Sequence, residues 1–163
     1  MLIVRGTKKV LDRIGGVTAS DGDRSTTLLG DWYVNVLFWK PQVALFVNEV
    51  TLLPVLMPFA PASTLLARFP AMLQSHLQAH SVTREFVEAE LAEMDDVLTA
   101  KTASRSVLGV MNEFKFLGEL QAGREVDHDL LSLSLRLAVT PCSPLYQRHI
   151  SPDRELAALV RST

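Results

Sequence analysis

The chain has 163 residues, a length that suits one domain with a substantial core. Apolar residues make up 48% of it and charged residues 21%, which is ordinary for a globular protein and excludes a disordered one. The net charge of −2 provides no global basic field of the kind that non-specific nucleic-acid binding requires, so only a local basic patch would serve that purpose.

The cysteine count and the apolar runs bear on the compartment. A single Cys cannot form an intramolecular disulfide and suits a reducing environment. Arg5, Lys8 and Lys9 interrupt any early apolar run, so no signal peptide is predicted. The longest apolar runs contain Asn, Pro or Lys within about ten residues, which makes them too short to span a bilayer. We therefore expect a cytoplasmic bacterial protein with no membrane segment.

The N-terminal part begins with an apolar, β-prone stretch at residues 1–4, which predicts a first strand. Thr7 is a suitable N-cap for a short helix over residues 8–14, which Gly15 and Gly16 would end. The following residues, 17–27, are rich in Gly, Ser, Thr and Asp and predict a polar loop.

The segment 30–61 contains both tryptophans and predicts three consecutive strands. They cover residues 32–39, 43–47 and 52–57. Pro41 breaks the first run and Asn48-Glu49 the second, and connections this short join only antiparallel neighbours. The first strand is apolar on both faces, so we expect helices or a partner chain over each side of the sheet. Pro54 cannot donate to a ladder and predicts an edge strand or a bulge.

After this segment the hydrophobic period changes from two to about 3.6, which predicts helices. They cover residues 63–80, 85–98, 105–120 and 129–139 and a short final segment that begins at Ser151-Pro152. Pro70 is expected to kink the first of these helices or to divide it. Residues 99–103 are expected to form a loop. Gly123 would end the third helix and Asp127 would cap the fourth, which we expect to be the most central.

Together these elements predict one α+β domain over residues 1–163. A small, mainly antiparallel sheet would combine the N-terminal strand with the three-strand meander and occupy about residues 1–60. About five helices in residues 61–163 would cover it.

The most suggestive polar cluster lies at the start of the third C-terminal helix. Lys101, Ser104, Arg105 and Ser106 would surround free backbone N–H groups, which together favour a phosphate or a carboxylate. An ordinary Ser cap beside an exposed Arg is the favoured interpretation, and the anion site is the sharper hypothesis. Gly109, inside this helix, is most simply explained by close packing of another element.

Further candidate ligand-binding residues lie in three other places. Asn112 and Glu113 are polar residues within the apolar stripe of the same helix. A second basic cluster, at the first strand-to-helix junction, consists of Arg5, Lys8 and Lys9 and lacks the Gly-rich run of a P-loop. The meander contributes the polar residues Asp31, Asn35, Asn48 and Glu49. If these groups converge, the meander forms one wall of a site; a structural role for the Asn35 amide is favoured over ligand binding.

Signatures of known catalytic and metal sites are missing. His76 and His80 have helical spacing, but residue 77 is Leu and no third ligand is evident, so we expect solvated side chains there. Cys142 precedes His149 by seven residues, and a packed thiol is favoured over a nucleophile. No cofactor and no metal site is expected.

Several stretches carry a resemblance to a known family. They are M-L-I-V-R-G-T-K-K-V-L, G-D-W-Y-V-N-V-L-F-W, V-N-E-V-T-L-L-P-V-L, S-R-S-V-L-G-V-M-N-E-F and P-L-Y-Q-R-H-I-S-P. The chain resembles a family of small bacterial proteins catalogued only as a domain of unknown function. The resemblance spans nearly the full chain and implies one domain. It implies no reaction and no catalytic residues.

Three functional hypotheses remain open. The first is a non-catalytic binding or protein-interaction module, for example a homodimer that buries one face of the meander. The second is an enzyme or nucleotide-binding protein that acts on a phosphate-bearing ligand, which requires Arg5, Lys8 or Lys9 to converge with Arg105 and Asn112. The third and weaker one is a toxin–antitoxin or phage-defence component that contacts nucleic acid.

Overall fold

The computed structural model describes residues 1–122 and 129–163 and contains one six-stranded mixed sheet in the order β2-β6-β1-β3-β4-β5. The strands are β1 (Leu2–Gly6), β2 (Val17–Thr18), β3 (Trp32–Leu37), β4 (Val43–Asn48), β5 (Pro54–Pro58) and β6 (Val97–Lys101). The described helices are α1 (Lys8–Ile14), α2 (Leu65–Ala79), α3 (Arg84–Ala92), α4 (Arg105–Ala122), α5 (Leu130–Ala138) and α6 (Pro152–Arg161). Short 3₁₀ turns lie at Ala62–Thr64 and Ser143–Leu145. The α+β class is confirmed.

The sheet joins a parallel half to an antiparallel half. β1 pairs in parallel with both β3 and β6, and β2 pairs in parallel with β6. β3, β4 and β5 form the predicted antiparallel meander, with Tyr33 opposite Val47 and Leu45 opposite Leu56. The prediction of an edge position for the strand with Pro54 is confirmed, because β5 is the last strand of the sheet.

Helix α5 covers this edge. The hydroxyl of Ser134 accepts a hydrogen bond from the backbone N–H of Leu56 at 2.9 Å and donates to the carbonyl of Leu130 at 2.7 Å. Both residues of the first bond are buried. A donor of the edge strand that would otherwise be open to another strand is therefore satisfied within the chain.

Each face of the sheet carries its own apolar core, as the two-sided pattern of β3 predicts. The even-numbered side chains Trp32, Val34 and Val36 pack with residues of α1, α2, α3 and α6. Tyr33 and Leu37, on the other face, pack with residues of α4 and α5. The chain's own helices thus cover both faces of the meander, which leaves neither face open for the expected homodimer.

Two strands lie where other structure was predicted. β2 falls in the predicted polar loop, and β6 replaces the end of the predicted helix 85–98 and most of the loop after it. The spacing of Val87, Leu91, Met94 and Leu98 fits one long helix, but α3 ends at Ala92. β6 lies between β1 and β2 and exchanges backbone hydrogen bonds with both, which no local pattern reveals.

Helix α2 runs through Pro70 as one element, so the predicted division into two helices does not occur. The ring of Phe69, next to the proline, stacks on Phe46 with centroids 4.1 Å apart and meets Trp32 edge-on at 5.2 Å. Burial of this aromatic cluster opposes the cost of about 3 kcal/mol that an internal proline imposes. Within the described ranges, no helix is both long and apolar enough to cross a membrane.

The remaining helix boundaries agree closely with the predictions. α1 spans Lys8–Ile14 with Thr7 before it, and α4 begins at Arg105. Gly123 and Asp127, predicted to end α4 and to cap α5, lie outside the described residues. The observed cap of α5 is Asp129, whose carboxylate accepts from the N–H groups of Leu131 and Ser132.

Candidate functional site

Some of the predicted polar residues, among them Arg5, Lys101 and Ser104, lie where β1 and β6 end. These neighbouring parallel strands finish at Gly6 and Lys101, and each leads into a helix, α1 and α4 respectively. Ligands of open sheets bind preferentially at the carboxyl ends of parallel strands. A ligand site of this sheet is therefore expected at the ends of β1 and β6.

An ion pair between Arg5 and Asp31 forms the centre of this cluster. The Nε of Arg5 donates to Asp31 Oδ2 at 2.7 Å, and its Nη1 donates to the carbonyl of Lys101 at 2.9 Å. The hydroxyl of Ser25 donates to Asp31 Oδ1 at 2.6 Å. Both carboxylate oxygens of Asp31 are thus bonded, and Arg5 connects β1, β6 and the entry to β3.

Glu49 lies beside this pair. It is exposed as a residue, but its carboxyl points inward, where Oε1 accepts from the backbone N–H of Asp31 at 3.4 Å. A Cβ at Gly30, whose φ is +78°, would lie 3.1 Å from the same oxygen. Burial of the carboxyl, together with the charge of Asp31, raises the pKa of Glu49. Glu49 is therefore the side chain of this cluster best suited to hold or release a proton.

The start of α4 joins the cluster through Tyr33. The phenol oxygen of Tyr33 accepts a hydrogen bond from the backbone N–H of Ser104 at 3.1 Å. The Ser104 hydroxyl accepts from the N–H of Val107 at 3.3 Å, so the predicted Ser cap is confirmed. Arg105 and Ser106 are exposed in the first turn of the helix. One N–H group of the helix start is thus already bonded inside the protein.

The other predicted residues do not converge on this point. Lys8 pairs with Asp12 at 2.8 Å on the exposed face of α1, and Lys9 is exposed beside it. Asn35, half-buried, accepts from the neighbouring N–H of Val36 at 2.9 Å. Asn112 and Glu113 are exposed two turns along α4, about 10 Å from its start.

Asn48 has a structural role that its complete burial imposes. Its Nδ2 donates to the carbonyls of Leu29 at 2.8 Å and Asp31 at 3.2 Å. Its Oδ1 accepts from the N–H groups of Val50 and Thr51 and from the Thr51 hydroxyl. The hydrogen bonds of the Asn48 amide therefore hold the turn between β4 and β5 against the residues that precede β3.

A cavity of about 430 Å³ opens beside the same sheet edge. Its lining includes Lys8 and Asp12 of α1, Gly16 of the following turn, and Thr99 and Lys101 of β6. Two of the predicted basic residues, Lys8 and Lys101, thus line this cavity, and no other predicted site residue is among its described lining.

Three polar residues with bonded roles were not predicted as such: two belong to this cluster, and the third binds the segment before β3. Ser25 lies in the segment expected to be a polar loop, and Tyr33 was assigned to an apolar face. Glu90 of α3 is fully buried, and its Oε2 accepts from the N–H of Leu29 at 2.8 Å, while its Oε1 has no partner among the described residues. Burial raises the pKa of Glu90 to about 7. Of the three, only Glu90 had a signal in the sequence. It lies three residues after Val87 and one before Leu91, at the border of the apolar stripe of α3.

The histidine and cysteine candidates have structural surroundings. His76 is fully buried, with Nδ1 2.8 Å from the carbonyl of Met72, so the expected solvated side chain is wrong there. Burial lowers the pKa of both His76 and His80. The buried Cys142 thiol donates to the carbonyl of Thr140, and burial raises its pKa to about 11, which confirms the packed thiol. In residues 1–122 and 129–163 no three His, Cys, Asp or Glu side chains are grouped as a metal site would require.

The comparisons with known proteins identify a family for this chain. No curated protein matches the chain significantly, and no solved structure does. The family profile of a domain of unknown function, DUF6933, matches residues 3–155, which is nearly the whole chain. The protein therefore belongs to the DUF6933 family.

Proposed function

We propose that the protein is a non-catalytic interaction module that associates with a second copy of itself through the outer face of α4. The observation that carries this proposal is an exposed stripe along the helix. Phe116 is 60% exposed and Leu120 is 67% exposed, while a Cβ built on Gly109 would meet nothing within 4 Å. Contiguous exposed apolar side chains, as opposed to isolated ones, mark surfaces of association.

The stripe is continuous because of helical geometry. Residues 109, 112, 113, 116 and 120 are spaced three and four apart and therefore lie on one side of α4. Val107, Val110, Met111 and Phe114 point the opposite way, into the core. The expectation that another element packs closely on Gly109 is wrong for the described part of the chain, where nothing lies within 4 Å of a Cβ at this position. A glycine at an exposed helix position costs about 1 kcal/mol relative to alanine, a cost that a closely approaching partner offsets.

A second copy fits this surface because the stripe is self-complementary. A two-fold axis that passes between Asn112 and Glu113 would place Phe116 of each chain over Gly109 of the other. Each Phe116 ring would then fill the space above the Gly109 of the other chain. The same contact would occur twice, once on each side of the axis, as an isologous interface requires. Asn112 of the two chains would meet near the axis, where their amides can bond to each other.

The polar cluster at the sheet edge supports the non-catalytic part of the proposal. Arg5, Asp31 and Ser25 bond to one another, and the Asn48 amide is used in a turn. Groups already paired inside the protein would have to break these bonds before they could contact a substrate. The lone buried Cys142 is in keeping with a reducing compartment such as a bacterial cytoplasm.

The alternative, an enzyme that acts on a phosphate-bearing ligand, rests on Glu49. Its carboxyl combines a raised pKa with a position beside Asp31, whose carboxylate binds Arg5 of β1. In this case, Glu49→Gln would abolish turnover of a phosphorylated substrate and leave folding intact. Self-association would be unaffected by the same substitution, so the two proposals can be distinguished.

Sedimentation velocity over a wide range of protein concentrations tests the interaction module. We expect the wild-type chain to form dimers and Phe116→Asp to remain monomeric. Leu120→Asp should weaken the dimer, while Val17→Asp, at a position with the same 67% exposure on β2, should not. Glu113→Gln should strengthen it, since two like charges near the axis are removed. A wild-type protein that stays monomeric, or dimers that Phe116→Asp leaves unchanged, would contradict the proposal.

A further inference from the structure

We propose that Arg148, His149, Arg154 and Arg161 form a binding site for a small phosphate-bearing molecule. The four side chains line a cavity of about 340 Å³ at one side of α6, together with Ile150 and Ala157. Its lining includes no residue of the Arg5 cluster or of the α4 stripe. None of these four basic residues belongs to the anion sites predicted from the sequence at the end of β1 and at the start of α4.

Helix α6 contributes two arginines from one face. Arg154 and Arg161 are seven residues apart, two turns of helix, with Ala157 between them on the same side. Both arginines are exposed, and neither forms a hydrogen bond or an ion pair with another part of the described chain. Ala157, which has a small side chain, lines the same cavity as the two arginines. A ligand there can therefore contact both without displacing an internal partner.

The segment before α6 contributes two more basic groups, and a buried carboxylate positions them. Glu155 is only 4% exposed, and each of its oxygens binds one of these residues. Nη2 of Arg148 donates to Oε1, and Nδ1 of His149 lies 3.0 Å from Oε2. Glu155 thus fixes the orientation of both side chains. Binding sites commonly rely on such supporting carboxylates, which contact the ligand-binding groups and not the ligand.

The charge balance favours a dianion. Three guanidinium groups face one carboxylate at this cavity, which leaves a net charge of about +2 when His149 is neutral. A phosphate monoester carries about −1.5 to −2 near neutral pH. Arginine binds phosphate oxygens with pairs of parallel hydrogen bonds, so the number and type of the donors also fit.

A second cavity can receive the organic part of such a ligand. It measures about 220 Å³ and shares Ala157 and Arg161 with the first. Its other walls include Val82, Leu156 and Val160, which are apolar, and the carboxylate of Asp153. The apolar walls suit a ring or a short carbon chain, and Asp153 can accept from a hydroxyl or an amino group. The two cavities together point to a phosphate ester with a hydrogen-bonding organic part.

Isothermal titration calorimetry on the full chain tests this site with three probes. They are inorganic phosphate, a nucleoside 5′-monophosphate and the corresponding nucleoside. We expect the monophosphate to bind more tightly than inorganic phosphate, and the nucleoside to bind weakest. Arg154→Ala and Arg161→Ala should each reduce the affinity for both phosphate-bearing probes by about tenfold or more, since each removes a charge-assisted contact.

Arg105→Ala is the matched control, because it also removes one exposed arginine but from the start of α4. It should leave all affinities unchanged. The proposal is overturned if the wild type binds neither phosphate-bearing probe, or if Arg105→Ala abolishes binding while the α6 variants retain it. The proposal is also overturned if a single-stranded RNA oligonucleotide binds tightly while the small probes do not bind measurably. In that case the basic residues form a nucleic-acid-binding surface.

Discussion

The guanidinium of Arg5 and the carboxylate of Asp31 meet at 2.7 Å and link the end of β1 to the residue before β3. The two side chains are 25% and 10% exposed, so the pair is largely shielded from water. Removal of one partner from such a pair leaves the other charge without compensation.

We therefore expect Asp31→Ala to reduce the free energy of unfolding by about 2 kcal/mol, as measured by urea denaturation. The substitution also removes the acceptor of the Ser25 hydroxyl. Asp12→Ala, which breaks the exposed Lys8–Asp12 pair, serves as the control and should leave the midpoint unchanged. Equal effects of the two substitutions would show that the Arg5–Asp31 pair contributes no more to the free energy of unfolding than an exposed ion pair does.

The bond between Ser134 and the backbone N–H of Leu56 gives a second prediction. In Ser134→Ala this N–H loses its acceptor inside a buried contact between α5 and β5. The expected loss is about 1–3 kcal/mol in the free energy of unfolding. Ser75→Ala on the exposed side of α2 is a suitable control and should change it by no more than about 0.5 kcal/mol. No loss at Ser134 would mean that water reaches the edge of β5.

Glu90 makes the stability depend on pH. Its pKa is raised to about 7 in the folded state, above the value of about 4.3 expected in the unfolded chain. The folded state therefore holds more protons between these two values, and the free energy of unfolding should fall as the pH rises through this window. Above pH 7 the full penalty of a buried carboxylate applies.

Glu90→Gln should consequently be about as stable as the wild type at pH 5 and more stable, by on the order of 2 kcal/mol, at pH 8. Urea denaturation of both proteins at the two pH values measures this difference. Glu88→Gln, on the exposed side of α3, removes the same charge and should not reproduce it. A constant difference between Glu90→Gln and the wild type from pH 5 to pH 8 would contradict the raised pKa.

Two glycines of α4 should respond in opposite ways to the same substitution. A Cβ at Gly118 would lie 2.8 Å from the Trp39 ring, whereas one at Gly109 would meet none of the described residues within 4 Å. The Trp39 ring is itself held by a hydrogen bond from its Nε1 to Glu119 at 3.2 Å. Gly118→Ala should therefore destabilise the fold by about 1–3 kcal/mol, and Gly109→Ala should stabilise the monomer by up to about 1 kcal/mol.

Thermal unfolding at low protein concentration measures both changes, and sedimentation adds an independent test of the proposed dimer. The extra methyl group of Gly109→Ala would occupy the space that Phe116 of the second copy needs. This variant should thus be more stable as a monomer and weaker as a dimer. Dimers of unchanged strength would place the association surface elsewhere, and a destabilised monomer would show that the space over Gly109 is filled.

Local signals account for much of what could be predicted. Gly15 and Gly16, both at positive φ, end α1 where predicted, and Thr7 stands at its N-cap position, although its side chain makes no capping hydrogen bond. The meander follows from apolar runs broken by Pro41 and by Asn48-Glu49, since each break leaves room only for an antiparallel return. These features depend on residues that are neighbours in the chain, and the sequence alone therefore determined them.

Tertiary structure decided the features that depend on distant segments. β6 is a strand because β1 and β2 lie on either side of it, although the apolar spacing around Leu98 equally fits a helix. Arg5 was expected to face a ligand, yet a carboxylate 26 residues away in the chain engages it. Glu155 holds Arg148 and His149 only because the chain turns back over the start of α6. Local sequence determines which backbone conformations are favourable, whereas the contacts of a charged side chain depend on which segments the fold brings together.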